Sequence, residues 1–196
     1  MACWAEGPSY FGDGRSHVYD FAVDGDTDRE HAADGPGPVR VTATVAAWLP
    51  EQPPAPPAAG QPVYSAPVGW HLERSRIGQS CKVLVEVLVN GVPAGTQELV
   101  ADGNEQVVEF DVELDRSSWI AVRILRSVHT QPIFVEITGL PIRASRRSAQ
   151  WLHDSVDALW KAKSGFIRET EQVAAREAYG AAQATYLVRR DECEVD

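Results

Sequence analysis

This sequence predicts an α+β fold: an antiparallel β-sandwich followed by a C-terminal two-helix hairpin. Three observations carry the expectation. Short apolar runs of period two, separated by turn residues, recur up to about position 140. Asn90-Gly91 stands between two of them, where a tight turn needs positive φ. After Pro141 the period lengthens to 3.6, in two segments parted by Gly165.

In chain order, 1–11 reads as a tail. "SHVYDFAV" (16–23) puts Tyr19, Phe21 and Val23 on one face of a strand. The acidic "DGDTDREHAADG" beyond it reads as a solvated, flexible segment, with His31 inert inside it. "VRVTATVAAWL" (39–49) alternates cleanly, with Val39, Val41, Ala43, Val45 and Ala47 inward and Arg40, Thr42 and Thr44 outward. The stretch 50–67 holds seven of the 13 prolines and predicts an exposed, polyproline-like loop, either an insertion or a flap. The β pattern resumes at "WHLERSRI" (70–77) and continues through "KVLVEVLVNGVPAGTQELVA", "QVVEFDVEL" (106–114), "SWIAVRIL" (118–125) and "PIFVEIT" (132–138). About eight short strands at this spacing are the pattern of a sandwich, here spanning 12–140.

Ser145 is a suitable N-cap for the first helix. Its expected core stripe is Ala149, Leu152, Val156, Leu159 and Lys163, flanked by Trp151 and Trp160. The second helix, about 169–189, turns Ala175, Tyr179, Ala182 and Tyr186 inward. Together they make a hairpin over 141–190 that packs on the sandwich, with "DECEVD" (191–196) as an acidic tail.

The totals exclude several classes. At 196 residues the chain is one domain, or one with an appendage. No apolar run is long enough to span a membrane. The net charge of −10 opposes general nucleic-acid binding, which depends on displacing counterions with positive charge. Cys3, Cys81 and Cys193 form neither a disulfide framework nor a thiolate zinc site. The start "MACWAEGPSYFGDG" lacks a basic region and an apolar segment, so as written it is no signal peptide. The expectation is a cytoplasmic chain, or one whose natural precursor begins elsewhere.

Few residues promise chemistry. The histidines show no HxH or HExxH spacing. His71 and Glu73 share a strand face in this reading, and His17 is a distant third candidate ligand; the plainer role for His71 is a hydrogen-bonded edge histidine. Ser127 and His129 lie two apart, yet no nucleophile elbow supports them as a hydrolase pair. Trp48 and Trp70, with Trp4 and Trp119, are possible sugar platforms, although Trp119 and the helix tryptophans suit a core better. The unusual feature is basic. Arg143, Arg146 and Arg147 crowd the start of the first helix, where positive charge opposes the macrodipole. They either pair with nearby carboxylates, with Arg147 lying over Trp151, or form an anion or docking site.

Several segments resemble a known family. "SSWIAVRIL", "HTQPIFVEI" and "PIRASRRSAQW" look like the region C-terminal to the catalytic domain in CehA/McbA-type metallohydrolases, members of the PHP (polymerase and histidinol phosphatase) superfamily. "GDGRSHVYDFAV", "VRVTATVAAWLPE" and "WHLERSRIG" are similar to its earlier strands, so the resemblance runs from about Gly12 to Tyr186. Gln131 stands where the family's "TNPI" pattern has Asn. That family holds its divalent metals on a catalytic barrel opening with an HxH or HxDxH motif, and this chain contains neither. The resemblance therefore implies a non-catalytic accessory module with no cofactor of its own. It docks on or covers a PHP-like metal domain in cis or in trans, and the three arginines either pair with acidic groups of that domain or contact its substrate. The alternative is an independent carbohydrate-binding module; a small metal-dependent hydrolase built on His71 and Glu73 ranks last.

Overall fold

Residues 10–12, 14–53 and 71–193 are described by the structure, a computed structural model. Its strands are β1 (Tyr10–Gly12), β2 (Ser16–Val23), β3 (Glu30–Ala33), β4 (Gly37–Ala47), β5 (Lys82–Val89), β6 (Val92–Val100), β7 (Gln106–Leu114), β8 (Ser118–Ile124), β9 (Val128–Thr130) and β10 (Ile133–Ile137). Two helices follow, α1 (Arg146–Lys163) and α2 (Gln172–Glu192). The chain divides into two compact units, Met1–Leu140 and Pro141–Asp196.

In the first unit the alternation along β4 makes it the centre of a three-stranded antiparallel sheet, β2-β4-β7. The other sheet is built on β8, which carries β5 and β6 on one side. On its other side β9 and β10 share the edge, because the Gln131-Pro132 pair interrupts the ladder between them. Further out, β1 pairs with β9 and β3 with β10. The β3–β10 pair is parallel and every other pair is antiparallel, so the sandwich is mixed at one edge. Val41, Val45 and Phe110 from one sheet and Val85, Ile120 and Ile133 from the other belong to one buried cluster. Full burial of each such side chain contributes about 1.5–3 kcal/mol relative to exposure.

The β5–β6 turn forms as expected, with φ of 51° at Asn90 and 87° at Gly91. The Asn90 side chain accepts from the Trp119 N–H at 3.1 Å and donates to Ser118 Oγ at 2.9 Å. A Cβ on Gly91 would approach the Trp119 ring at 3.5 Å.

Five expectations are corrected. The acidic segment after β2 is partly ordered: β3 lies within it, and His31 is held 3.4 Å from both Asp24 and Asp26. Tyr19 does not share an inward face with Phe21, because a bulge at Asp20 (φ 51°) reverses the alternation, leaving Val18, Phe21 and Val23 buried. The 70–77 segment forms a 3-10 turn over Leu72–Ser75 rather than a strand. Tyr10 and Phe11 belong to β1, not to a tail. Asp191 and Glu192 end α2, and Cys193 beyond them is buried, so the acidic tail is shorter than expected. Most of the proline-rich loop, Trp4, Trp70, Cys3 and residues 194–196 lie outside the described residues.

In the second unit α1 and α2 run antiparallel. Trp160 meets Tyr179 edge-on at 5.2 Å between ring centroids, and the Arg176 guanidinium lies 5.5 Å over the Trp160 ring. Ala175, Tyr179, Ala182 and Tyr186 are half-buried on α2. On α1 the expected stripe is only partly right. Ala149 is buried and Val156 half-buried, but Leu152 and Leu159 are exposed and Trp151 is 67 % exposed. Apolar residues occupy more than half the circumference of α1, and one helix partner covers only one stripe of it.

Candidate functional site

The three arginines stand where the backbone chemistry of two helix ends meets. Ser145, in extended conformation, caps α1 by accepting from the Ser148 N–H at 3.0 Å. No acidic residue occupies the first turn of α1, so its positive end is not balanced from within. The balance comes from α2. An antiparallel hairpin puts the C-terminal carbonyls of α2, the negative end of its dipole, beside the start of α1. Arg146 donates to the Cys193 carbonyl at 2.8 Å, and Arg143 pairs with Glu192 at 2.5 Å while also donating to the Ile142 carbonyl. These two arginines act as clasps between helix ends, each worth a few tenths to about 1 kcal/mol.

Arg147 differs. It is exposed and makes no hydrogen bond or ion pair with any described residue, and no stacking of its guanidinium on Trp151 occurs. With Arg146, Gln150, Trp151, Asp154 and Arg190 it lines a groove of about 530 Å³. One wall is a polar relay: Arg190 donates to Gln150 Oε1 at 2.8 Å, and Gln150 Nε2 donates to Asp154 Oδ1, also at 2.8 Å. His153 is 2.9 Å from the same carboxylate. Its contact, and then that of Gln150, holds the Asp154 carboxyl below the usual carboxylate range. Arg190 is tied to Asp191 as well. The groove thus offers one guanidinium with no partner among the described residues, an open indole and a wall of satisfied polar groups. It can bind an anionic, partly apolar group. Its described lining holds no nucleophile–base pair of the kind covalent catalysis needs.

Sequence reasoning reached Arg143, Arg146 and Arg147 but missed Gln150, Asp154 and Arg190. The signal was present: folding the two helices back about the 164–171 connection brings 190 beside 146–150.

The other candidates do not converge. His17 lies half-buried in β2 opposite Ala46. His71 caps the 3-10 turn, its Nδ1 accepting from the Glu73 N–H at 3.2 Å. Glu73 is spent on Arg76 at 2.5 Å in a pair whose side chains are 10 % and 3 % exposed, which raises the arginine's pKa. Its Oε2 has no hydrogen-bond partner among the described residues. No group of three His, Cys, Asp or Glu suited to a metal occurs among them. Ser127 is buried, with its Oγ 2.5 Å from Ser16 Oγ, while His129 is exposed on β9, so the two do not form a pair. Trp48 is half exposed, and the Arg15 guanidinium lies 5.8 Å from its ring centroid.

No protein-family model matches this chain, and no curated protein matches it. No helix among the described residues is long and apolar enough to cross a membrane.

Proposed function

We propose that this chain is a non-catalytic accessory module whose helical hairpin docks on a partner protein domain. The observation that carries the reading is the poor cover of the hairpin. Among its described residues only Ala149 and Cys193 are buried. Trp151, Leu152, Leu159, Phe166, Val173 and Val188 are all exposed. Trp151, Leu152 and Leu159 share the side of α1 away from its Trp160 contact, and that side carries no charge between Ser148 and Ala162. Helices apolar around most of their girth belong in an interface, and contiguous exposed apolar patches mark interaction sites. The resemblance to the tail of CehA/McbA-type enzymes names the partner: a PHP-like domain, in cis or in trans, which would supply the divalent metal and the chemistry.

The test is association in trans. A purified PHP-type metal domain of the CehA/McbA kind is titrated with this chain by calorimetry, alongside a Leu152→Ser/Leu159→Ser double variant. We expect saturable binding to the wild type and its loss in the variant, with the variant's β-sheet circular dichroism unchanged. Absence of binding by the wild type would reject the metal domain as partner.

A second reading keeps one observation in its favour. The exposed Trp48 forms an isolated backbone bridge with Asp102, its indole lies 3.5 Å from where a Cβ on Gly103 would stand, and Asn104 follows. Stacking plus nearby polar side chains is how carbohydrate modules hold sugars. A glycan-array signal abolished by Trp48→Ala would favour that module over docking.

A further inference from the structure

The groove at the open end of the hairpin narrows the docking reading, on which this inference rests. We propose that it takes an acidic segment of a partner polypeptide, one carboxylate pairing with Arg147 and a neighbouring apolar side chain lying on the Trp151 ring. Three features lead there. In a chain of net charge −10, the groove gathers three guanidiniums and a single carboxylate. Of the three, Arg146 already donates to the Cys193 carbonyl and Arg190 to Gln150 and Asp191, whereas Arg147 makes no hydrogen bond or ion pair with a described residue. Beside it Trp151 stands 67 % exposed. A guanidinium with no partner among the described residues, next to an open indole, matches a singly charged side chain with an apolar neighbour. Inorganic phosphate brings no apolar group for the indole, and the Asp154 carboxylate on the same wall disfavours a dianion more than a single carboxylate. Planar guanidinium–carboxylate pairing sets the register, and the indole contributes contact area. The arginines therefore divide: Arg143 and Arg146 hold the hairpin closed, and Arg147 reads the partner.

The experiment is a titration of the full chain, labelled with ¹⁵N, at low ionic strength. The probes are an acetylated and amidated EEFEE peptide, its charge-reversed counterpart KKFKK, and inorganic phosphate. The indole N–H signal of Trp151 is assigned by its disappearance in Trp151→Phe. We expect EEFEE to shift that signal saturably and KKFKK and phosphate to leave it in place. Arg147→Glu should weaken the peptide by roughly tenfold, combining loss of an exposed pair with new repulsion. Arg147→Gln should fall between, and both variants should keep the remaining spectrum. Arg143→Ala should lower the hairpin's melting temperature yet leave the titration unchanged. No saturable shift with EEFEE, an equal response to KKFKK, or a response to phosphate alone would overturn the proposal. The two readings separate cleanly. Binding to the metal domain that survives Arg147→Glu but not Leu152→Ser/Leu159→Ser keeps docking and discards this groove; peptide binding without metal-domain binding keeps the groove and discards the metal domain as the partner.

Discussion

Asn90 and Thr138 occupy the same backbone region for opposite reasons. Asn90, at φ 51°, is a residue type that tolerates the left-handed conformation, and both ends of its amide are hydrogen-bonded to β8. Asn90→Ala removes both bonds and that tolerance, so we expect a loss of about 1–3 kcal/mol in denaturant unfolding. Thr138, at φ 53°, is β-branched and exposed, and its hydroxyl reaches back only to the Ile137 carbonyl. Asn there would relieve the clash between Cβ and backbone, and Thr138→Asn should raise stability by up to about 1 kcal/mol. A decrease would mean that the Thr138 side chain makes up its strain elsewhere. Asn90 was legible in the sequence because an Asn-Gly pair between alternating runs has one common use. Thr138 was not, since its conformation is imposed by its position after β10, where its N–H donates to Ala33 on β3.

Helices and strands differ in how much of them is local. The Ser145 cap, the helix period and the alternation of β4 depend on neighbours a few positions away, and all three read directly from the residues. β3 does not: its partner β10 lies some hundred residues on, and a four-residue strand, EHAA, inside an acidic stretch has too little apolar pattern to announce a parallel edge strand. Capping predicts that Ser145→Ala costs about 1 kcal/mol of hairpin stability, visible as lost helical circular dichroism on mild heating. Acid should act on the same element. The Asp154 carboxyl is held low by His153 and Gln150, so its contribution is fully present above the ordinary carboxylate range. It is lost as pH falls through the lowered value. Helical signal should therefore hold down to about pH 4 and decline below it, and Asp154→Asn should flatten that decline. An unchanged acid limb in the variant would show that other carboxylates govern it; Asp26, Asp102 and Asp115 are also lowered, by hydrogen bonds in the sandwich.

The two units of the molecule differ sharply in their interiors. The sandwich holds a continuous cluster from Val18 to Ile137, while the hairpin buries Ala149 and Cys193 among its described residues. Buried apolar contacts set the free energy of local opening, so amides of α1 and α2 should exchange with solvent much faster than those of β4, β5 and β8. Hydrogen-exchange mass spectrometry checks this, and equal protection in both units would refute it. Adding the docking partner should slow exchange in the hairpin first.

Composition, alternation and the change of period after Pro141 were sufficient for the α+β class and for the place of most strands, because those signals arise within a few residues of one another. The role of the arginines was beyond them. Three guanidiniums at one helix start look alike along the chain. They become two clasps and one guanidinium without a partner among the described residues only when the C-terminus of α2 returns to meet Arg143 and Arg146 and leaves Arg147 beside Trp151. Pairing across nearly fifty residues depends on how the helices fold back, and side-chain period within either helix carries no information about which groups the other will satisfy.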